Sequence, residues 1–149
     1  MFPDTTQIDS NGTLNIGGCS TLDLANEYGT PLYVFDEDTI RSRCRSFVQE
    51  FQKRLPKTQV VYASKAYINP ILVRMFAEEG LGLDIVSGGE LAVAIAGGLS
   101  TTQIYFHGNN KTPQELREAV QQGIGRIVVD SFHELQLLEE ISGELGKKQ

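Results

Sequence analysis

From Val60 onward the sequence repeats one unit four times: a short apolar run, a polar residue suited to capping a helix, an amphipathic stretch, then glycine. The first unit is Val60 to Lys65, followed by Asn69-Pro70 as cap and first helical residue, the apolar Ile71, Leu72, Met75 and Phe76, and Gly80 as a stop. The second is Leu83 to Val86, then Ser87-Gly88-Gly89-Glu90 and a helix ending at Gly97-Gly98. The third is Ile104 to Phe106, then Thr112-Pro113-Gln114-Glu115 and a helix through Val120 to Gly123. The fourth is Ile127 to Val129, then Ser131-Phe132-His133-Glu134 and a helix carrying Leu135, Leu138 and Ile141 before Gly143. The last three helix starts read as capping boxes, serine or threonine followed three residues on by glutamate. Strands alternating with helices at this spacing demand a parallel sheet with right-handed crossovers, either an open doubly wound sheet or a closed barrel. The pattern alone does not choose between them. A complete (β/α)8 barrel takes about 250 residues; this chain has 149, so on the barrel reading it holds the first half.

The chain therefore divides into an amino-terminal strand/helix segment, residues 1–57, and the first half of a (β/α) barrel, residues 58–149. In the first segment Leu14 and Ile16 alternate as in one short strand. Ser20 is placed to cap a helix from Thr21 that Gly29 and Pro31 stop after Tyr28. Pro31-Leu32-Tyr33-Val34-Phe35 reads as the next strand. Asp36 caps a longer helix whose apolar stripe, Ile40, Cys44, Phe47, Phe51 and Leu55, continues to Pro56. Cys44 lies in that stripe, so packing is its expected role.

Charge and cysteine usage remove several function classes. The net charge of -6 arises from 19 acidic and 13 basic residues without a basic block, which argues against nucleic acid as a partner. Cys19 and Cys44 form neither a CxxC pair nor part of a Cys/His cluster, so neither a disulfide framework nor a metal site is expected. The start lacks the order of a signal peptide and no apolar run could span a bilayer, which leads to the expectation of a reduced, cytoplasmic protein with no membrane partner. No GxGxxG or Walker pattern supports a nucleotide site.

In parallel α/β folds the chemistry sits at the carboxyl ends of strands. Here those positions hold Lys65, then Asp84 with Ser87 to Glu90, then His107-Gly108-Asn109-Asn110-Lys111, then Asp130. Strand alternation puts Val61, Ala63 and Lys65 on one face and Val60, Tyr62 and Ser64 on the other. A lysine at that end either escapes to solvent or serves chemistry in a cavity. Lys65 and Asp84 end neighbouring strands, which brings a carboxylate toward the ammonium, and His107 shares a face with Tyr105. Each residue also has a purely structural reading. Glu90 completes a capping box, Gly88 and Gly89 allow close packing at a helix start, Asp84 partners Lys65, His107 is a hydrogen-bonded histidine, and His133 lies on the surface.

Tyr62-Ala63-Ser64-Lys65-Ala66 resembles the pyridoxal-phosphate lysine motif of the alanine-racemase-like barrel decarboxylases. Asp84-Ile85-Val86-Ser87-Gly88-Gly89-Glu90-Leu91 and His107-Gly108-Asn109-Asn110-Lys111 are similar to the branch of that family that acts on diaminopimelate. The match runs from about Gly29 to Ile141 and departs at Tyr67, where many members carry asparagine. The resemblance implies a barrel followed by a carboxyl-terminal β domain, a homodimer, and pyridoxal 5'-phosphate bonded through its aldehyde carbon to Lys65. It implies that Asp84 and His107 bind the cofactor, with Asp84 holding or tuning Lys65, and that Ala63, Glu90 and Asn109 line the pocket. The lysine must shed its proton to form that bond, which a partly buried position favours. The implied reaction is decarboxylation of meso-diaminopimelate to L-lysine. Ornithine or arginine decarboxylation, cofactor binding without turnover, and a silent fragment stand as alternatives. The family's phosphate loop, substrate arginines and remaining barrel would lie beyond Gln149, so the 149-residue chain alone is expected to be oligomeric and inactive.

Overall fold

The computed structural model describes residues 2–149. The chain opens with a three-stranded antiparallel sheet, β1 (Gln7–Ile8), β2 (Leu14–Ile16) and β3 (Cys19–Ser20), in which Asn15 lies opposite both Gln7 and Ser20. The alternation at Leu14 and Ile16 thus marks a strand with two partners, one on each side. Helix α1 (Thr21–Tyr28) follows directly, with Ser20 Oγ accepting from the Asp23 N–H at 3.3 Å and Gly29 closing it at φ 81°. Helix α2 (Glu37–Gln52) begins at Asp36, whose carboxylate accepts from the Thr39 N–H at 3.2 Å.

Then come the repeats: β4 (Val61–Ala63), α3 (Pro70–Glu78), β5 (Gly82–Ile85), α4 (Gly88–Ala96), β6 (Ile104–Phe106), α5 (Pro113–Gln122), β7 (Arg126–Ile127) and α6 (Phe132–Leu145). The four strands pair in parallel in the order β4-β5-β6-β7, the order of the chain. Strand order equal to chain order, with the right-handed crossover that βαβ units take as a rule, puts all the intervening helices on one face of the sheet. That is the wall of a barrel, since a doubly wound sheet reverses its strand order and carries helices on both faces. The open question of the sequence is settled in favour of the (β/α) barrel.

Burial follows the two faces. Leu83, Ile85, Ile104 and Phe106 are fully buried beneath the helices, packed with Leu72, Val73, Phe76, Leu91, Ala94 and Ala119. Each such side chain contributes roughly 2 kcal/mol by leaving water. Leu116, Val120, Leu138 and Ile141 form a second cluster between α5 and α6. On the other face the registered row Ala63, Asp84, Tyr105 and Arg126 is half-buried or exposed. Two glycines let neighbouring strands and turns approach: a Cβ on Gly82 would stand 2.4 Å from the Gln103 carbonyl oxygen, and one on Gly125 only 2.2 Å from that of Thr102.

Several sequence expectations are corrected. Residues 31–35 form no strand: Tyr33 is 91% exposed, and β-prone side chains alone do not make a strand without a backbone partner. Phe35 instead stacks on Tyr67 with ring centroids 5.4 Å apart. Helix α2 ends at Gln52 rather than running to Pro56, and Phe47, Phe51 and Leu55 are exposed. Of its stripe only Cys44 is buried, because the helix meets the core along one short line. Ile71, Leu135 and the segment Val128–Val129 are likewise exposed or outside a strand. Helix α6 passes through Gly143 and ends at Gly146, the glycine that is left-handed, at φ 61°.

Arg41 and Arg45 of α2 converge on Glu79 at the end of α3, at 3.1 and 2.7 Å. Hydrogen bonding from Arg45, then from Arg41, holds the Glu79 carboxyl down at about 2, against an ordinary 4.5. A carboxyl lowered on folding stabilises the folded state above its unfolded value and loses that contribution as pH falls through the folded one. Stability should therefore decline between pH 4.5 and about 2, and Glu79→Gln should flatten this part of the curve while lowering stability at neutral pH. Urea midpoints measured across that range for both forms check it.

Candidate active site

The chemistry-bearing residues gather at the carboxyl ends of β4, β5 and β6. Strand β4 stops at Ala63, and Ser64–Ala66 turn as a single 3-10 helix. Ser64 is buried there and donates from Oγ to the Asp84 carbonyl at 2.6 Å, which pins the turn to the next strand. The expected alternation breaks at this point. Lys65 is carried by the turn rather than by the pleat, and it stands exposed at the rim of the open face. Among the described residues Lys65 is exposed rather than partly buried, on β4's side of the sheet, where β4 is the edge strand.

Asp84 pairs in register with Ala63 and projects on the same face, but no carboxylate is ion-paired with Lys65 among the described residues. The carboxylate faces His107 instead, with Oδ1 3.6 Å from Nε2. That Asp84 oxygen is shielded from solvent and accepts no hydrogen bond among the described residues. His107 is half exposed and is held at its backbone, where its N–H donates to the Ile85 carbonyl at 2.8 Å. Next to it Gly108 turns at φ 103°, a conformation L side chains avoid, and a Cβ there would press on the Val86 carbonyl at 3.3 Å. Asn109 follows in solvent.

The Ser87 to Glu90 turn is occupied by protein. Ser87 Oγ accepts from the Glu90 N–H at 3.3 Å, while the Glu90 carboxylate accepts from the Val86 N–H at 2.5 Å rather than closing a box on Ser87. Glu115 reaches over from α5 and accepts from the Gly88 N–H at 2.8 Å, and a Cβ on Gly88 would meet its Cγ at 3.1 Å. The close-packing reading of Gly88 is thereby met. Of the three predicted capping boxes only Thr112 with Glu115 is reciprocal. Ser131 caps α6, but Glu134 turns away to Lys111, at 2.8 Å.

Sequence reasoning missed two groups on these strands. Tyr105 donates to Gln59 Oε1 at 3.0 Å and accepts from Arg126 Nη1 at 2.7 Å, a polar string across the open face. Its only signal was a tyrosine and an arginine each at one place in successive strands. Lys111, read as part of a polar loop, is buried, a fact that no local pattern announces.

A primary amine, a carboxylate oxygen with no partner and an imidazole, all on one rim, suit the ring and aldehyde end of an aromatic aldehyde cofactor. They do not provide for a phosphate, because the nearby start of α4 is taken by Glu115 and Glu90.

Residues 37–148 match the pyridoxal binding domain of the pyridoxal-dependent decarboxylases, and the chain belongs to that family. Within it, the chain is 48% identical over 147 residues to the diaminopimelate decarboxylase of Bacillus methanolicus, covering 99% of this chain and 34% of that protein. It is 50% identical over 142 residues to the diaminopimelate decarboxylase of Bacillus subtilis, covering 95% of this chain and 32% of that one. The crystal structure of the M. jannaschii diaminopimelate decarboxylase in complex with L-lysine superposes with a TM-score of 0.86 at 36% identity, over 96% of this chain and 34% of that chain. The chain thus spans about a third of the length of the curated relatives it matches.

Proposed function

We propose that the whole protein decarboxylates meso-diaminopimelate to L-lysine with pyridoxal 5'-phosphate. The observation that carries this is the 48% identity across nearly the whole chain to a protein named for that reaction, with Lys65, Asp84 and His107 on one rim of the sheet. When bound, the cofactor supplies an electron sink for the pair left by the departing carboxylate. The chain's own residues bind and orient. Lys65 would hold the cofactor by its aldehyde end through Nζ. Asp84 and His107 would hold the ring, with the Asp84 carboxylate 3.6 Å from the imidazole to orient it. Asn109 lies along the pocket edge, and the small Ala63 leaves room beside the lysine turn. Glu90 contributes to the pocket by holding Val86 in place. The carbon that loses carbon dioxide gains a proton, and the substrate's second amino acid centre is kept, giving L-lysine.

The same reading takes residues 1–57 as a segment distinct from the barrel half formed by residues 58–149, with the remaining barrel and a carboxyl-terminal β domain completing the protein. It places the protein in the cytoplasm as a homodimer. Among the described residues no helix is long and apolar enough to cross a membrane. Carbon dioxide release by the whole protein, measured in parallel with meso-diaminopimelate, ornithine, arginine and lysine, tests the substrate. Diaminopimelate is expected to turn over fastest, and faster release from ornithine or arginine would move the protein to those branches.

A further inference from the structure

The side chain of Lys111 is 1% exposed and that of Glu134 is 8% exposed, their charged atoms 2.8 Å apart. A buried ion pair of this kind does little for net stability, because desolvation of the two charges offsets their attraction. Its use must lie in geometry. While Glu134 Oε1 faces it as an ion-pair partner without a hydrogen bond, the Lys111 ammonium donates to the Gly108 carbonyl at 2.5 Å and to the Val128 carbonyl at 3.0 Å. It thereby joins three separate segments: the turn after β6 that carries His107 and Asn109, the exit of β7, and the first turn of α6. Val128 is tied back in turn, its N–H donating to the Phe106 carbonyl at 2.9 Å. The bend at Gly108, at φ 103°, is one that glycine adopts readily and L side chains avoid, so the backbone there is free to take other turns unless a contact selects this one. The Lys111 ammonium, bonded to the Gly108 carbonyl and 5.9 Å from the centroid of the Phe106 ring, is the group that makes that contact.

We propose that Lys111 is a positioning residue for the active site: its ammonium, neutralised by Glu134, clamps the Gly108 turn and so sets His107 against Asp84. This rests on the decarboxylase reading, in which both residues face the cofactor. Glu134 balances the charge of the ammonium at 2.8 Å, while the two carbonyl contacts set the loop.

The test uses the whole protein with Lys111→Met, Glu134→Met and the double variant. Each single change leaves an unpaired buried charge or a vacated partner and should lower the unfolding midpoint, and the double change should recover much of it. Affinity for pyridoxal phosphate should nevertheless stay weaker by about tenfold or more in the double variant, with kcat falling more than KM. A readout without cofactor accompanies this. In isotope-labelled histidine spectra, Asp84→Asn should shift the His107 ring resonance in the wild-type background and lose that effect in the double variant. Recovery of cofactor affinity and of the Asp84-to-His107 coupling together with stability would reduce the pair to a structural one and overturn the proposal. Should the double variant not fold, Glu134→Gln decides. It leaves both carbonyl contacts, so the coupling should persist and affinity should stay within about threefold of wild type; loss of either would overturn the proposal. A wild-type protein that bound no pyridoxal phosphate would defeat the decarboxylase reading, while the histidine coupling would still judge Lys111.

Discussion

Lys65→Ala in the whole protein is expected to abolish decarboxylation, with a fall on the order of 10^4-fold or more, the upper range for a group acting directly on reacting atoms. Position matters here as much as residue type. Ser64 anchors the 3-10 turn to the Asp84 carbonyl at 2.6 Å, so the turn is fixed at its base while the lysine side chain projects freely from the rim. An amine so placed is available for a covalent bond and has no carboxylate partner among the described residues to displace first. The alanine variant loses the amine without disturbing the buried Ser64 contact, so folding should be unchanged. The visible absorbance that pyridoxal phosphate gains when joined to a protein amine should vanish with it. A band that survived the substitution would assign the bond to another lysine, and activity within about tenfold of wild type would remove Lys65 from the chemistry.

The order of strands and helices from Val60 onward was legible because each repeat carries its own local signals. Asn69 before Pro70, Thr112 before Pro113 and Gly123 at φ 63° act within a few residues of themselves, and the structure uses all three as read. The barrel choice was not legible in the repeat pattern, since it depends on strand order, a long-range property; only the motif resemblance implied it, correctly. The errors share that cause. Residues 31–35 have the composition of a strand, but no backbone partner is supplied to them by the described residues. The α2 stripe has helical spacing, but what faces Phe47 and Phe51 is set by tertiary packing. Glu134 fits the capping-box pattern and is diverted by a lysine 23 positions earlier in the chain that no local rule connects to it. At the site, Lys65, Asp84 and His107 were found from strand ends and motif resemblance. Their pairing was misjudged because Lys65 leaves the strand's alternation one residue before the motif would place it in the pleat.

Two consecutive residues on β6 offer the sharpest contrast between fold and site. Phe106 is fully buried on the helix side of the sheet, within the main core cluster, and carries the backbone carbonyl that receives the Val128 N–H. Phe106→Ala should cost about 3–5 kcal/mol, the lost transfer of the ring plus the cavity left among rigid neighbours. It should also displace the Lys111 ammonium that lies near the ring. Tyr105 points to the opposite face, and its ring keeps the Arg126 guanidinium 5.1 Å from its centroid. Tyr105→Phe retains that ring and removes only the hydroxyl linking Gln59 and Arg126 at 3.0 and 2.7 Å, so it should cost about 1 kcal/mol or less. Urea midpoints of the whole protein measure both. If Phe106→Ala proved as mild as Tyr105→Phe, the assignment of the helix-covered face as the core would fail, and with it the claim that Asp84 and His107 look into the barrel.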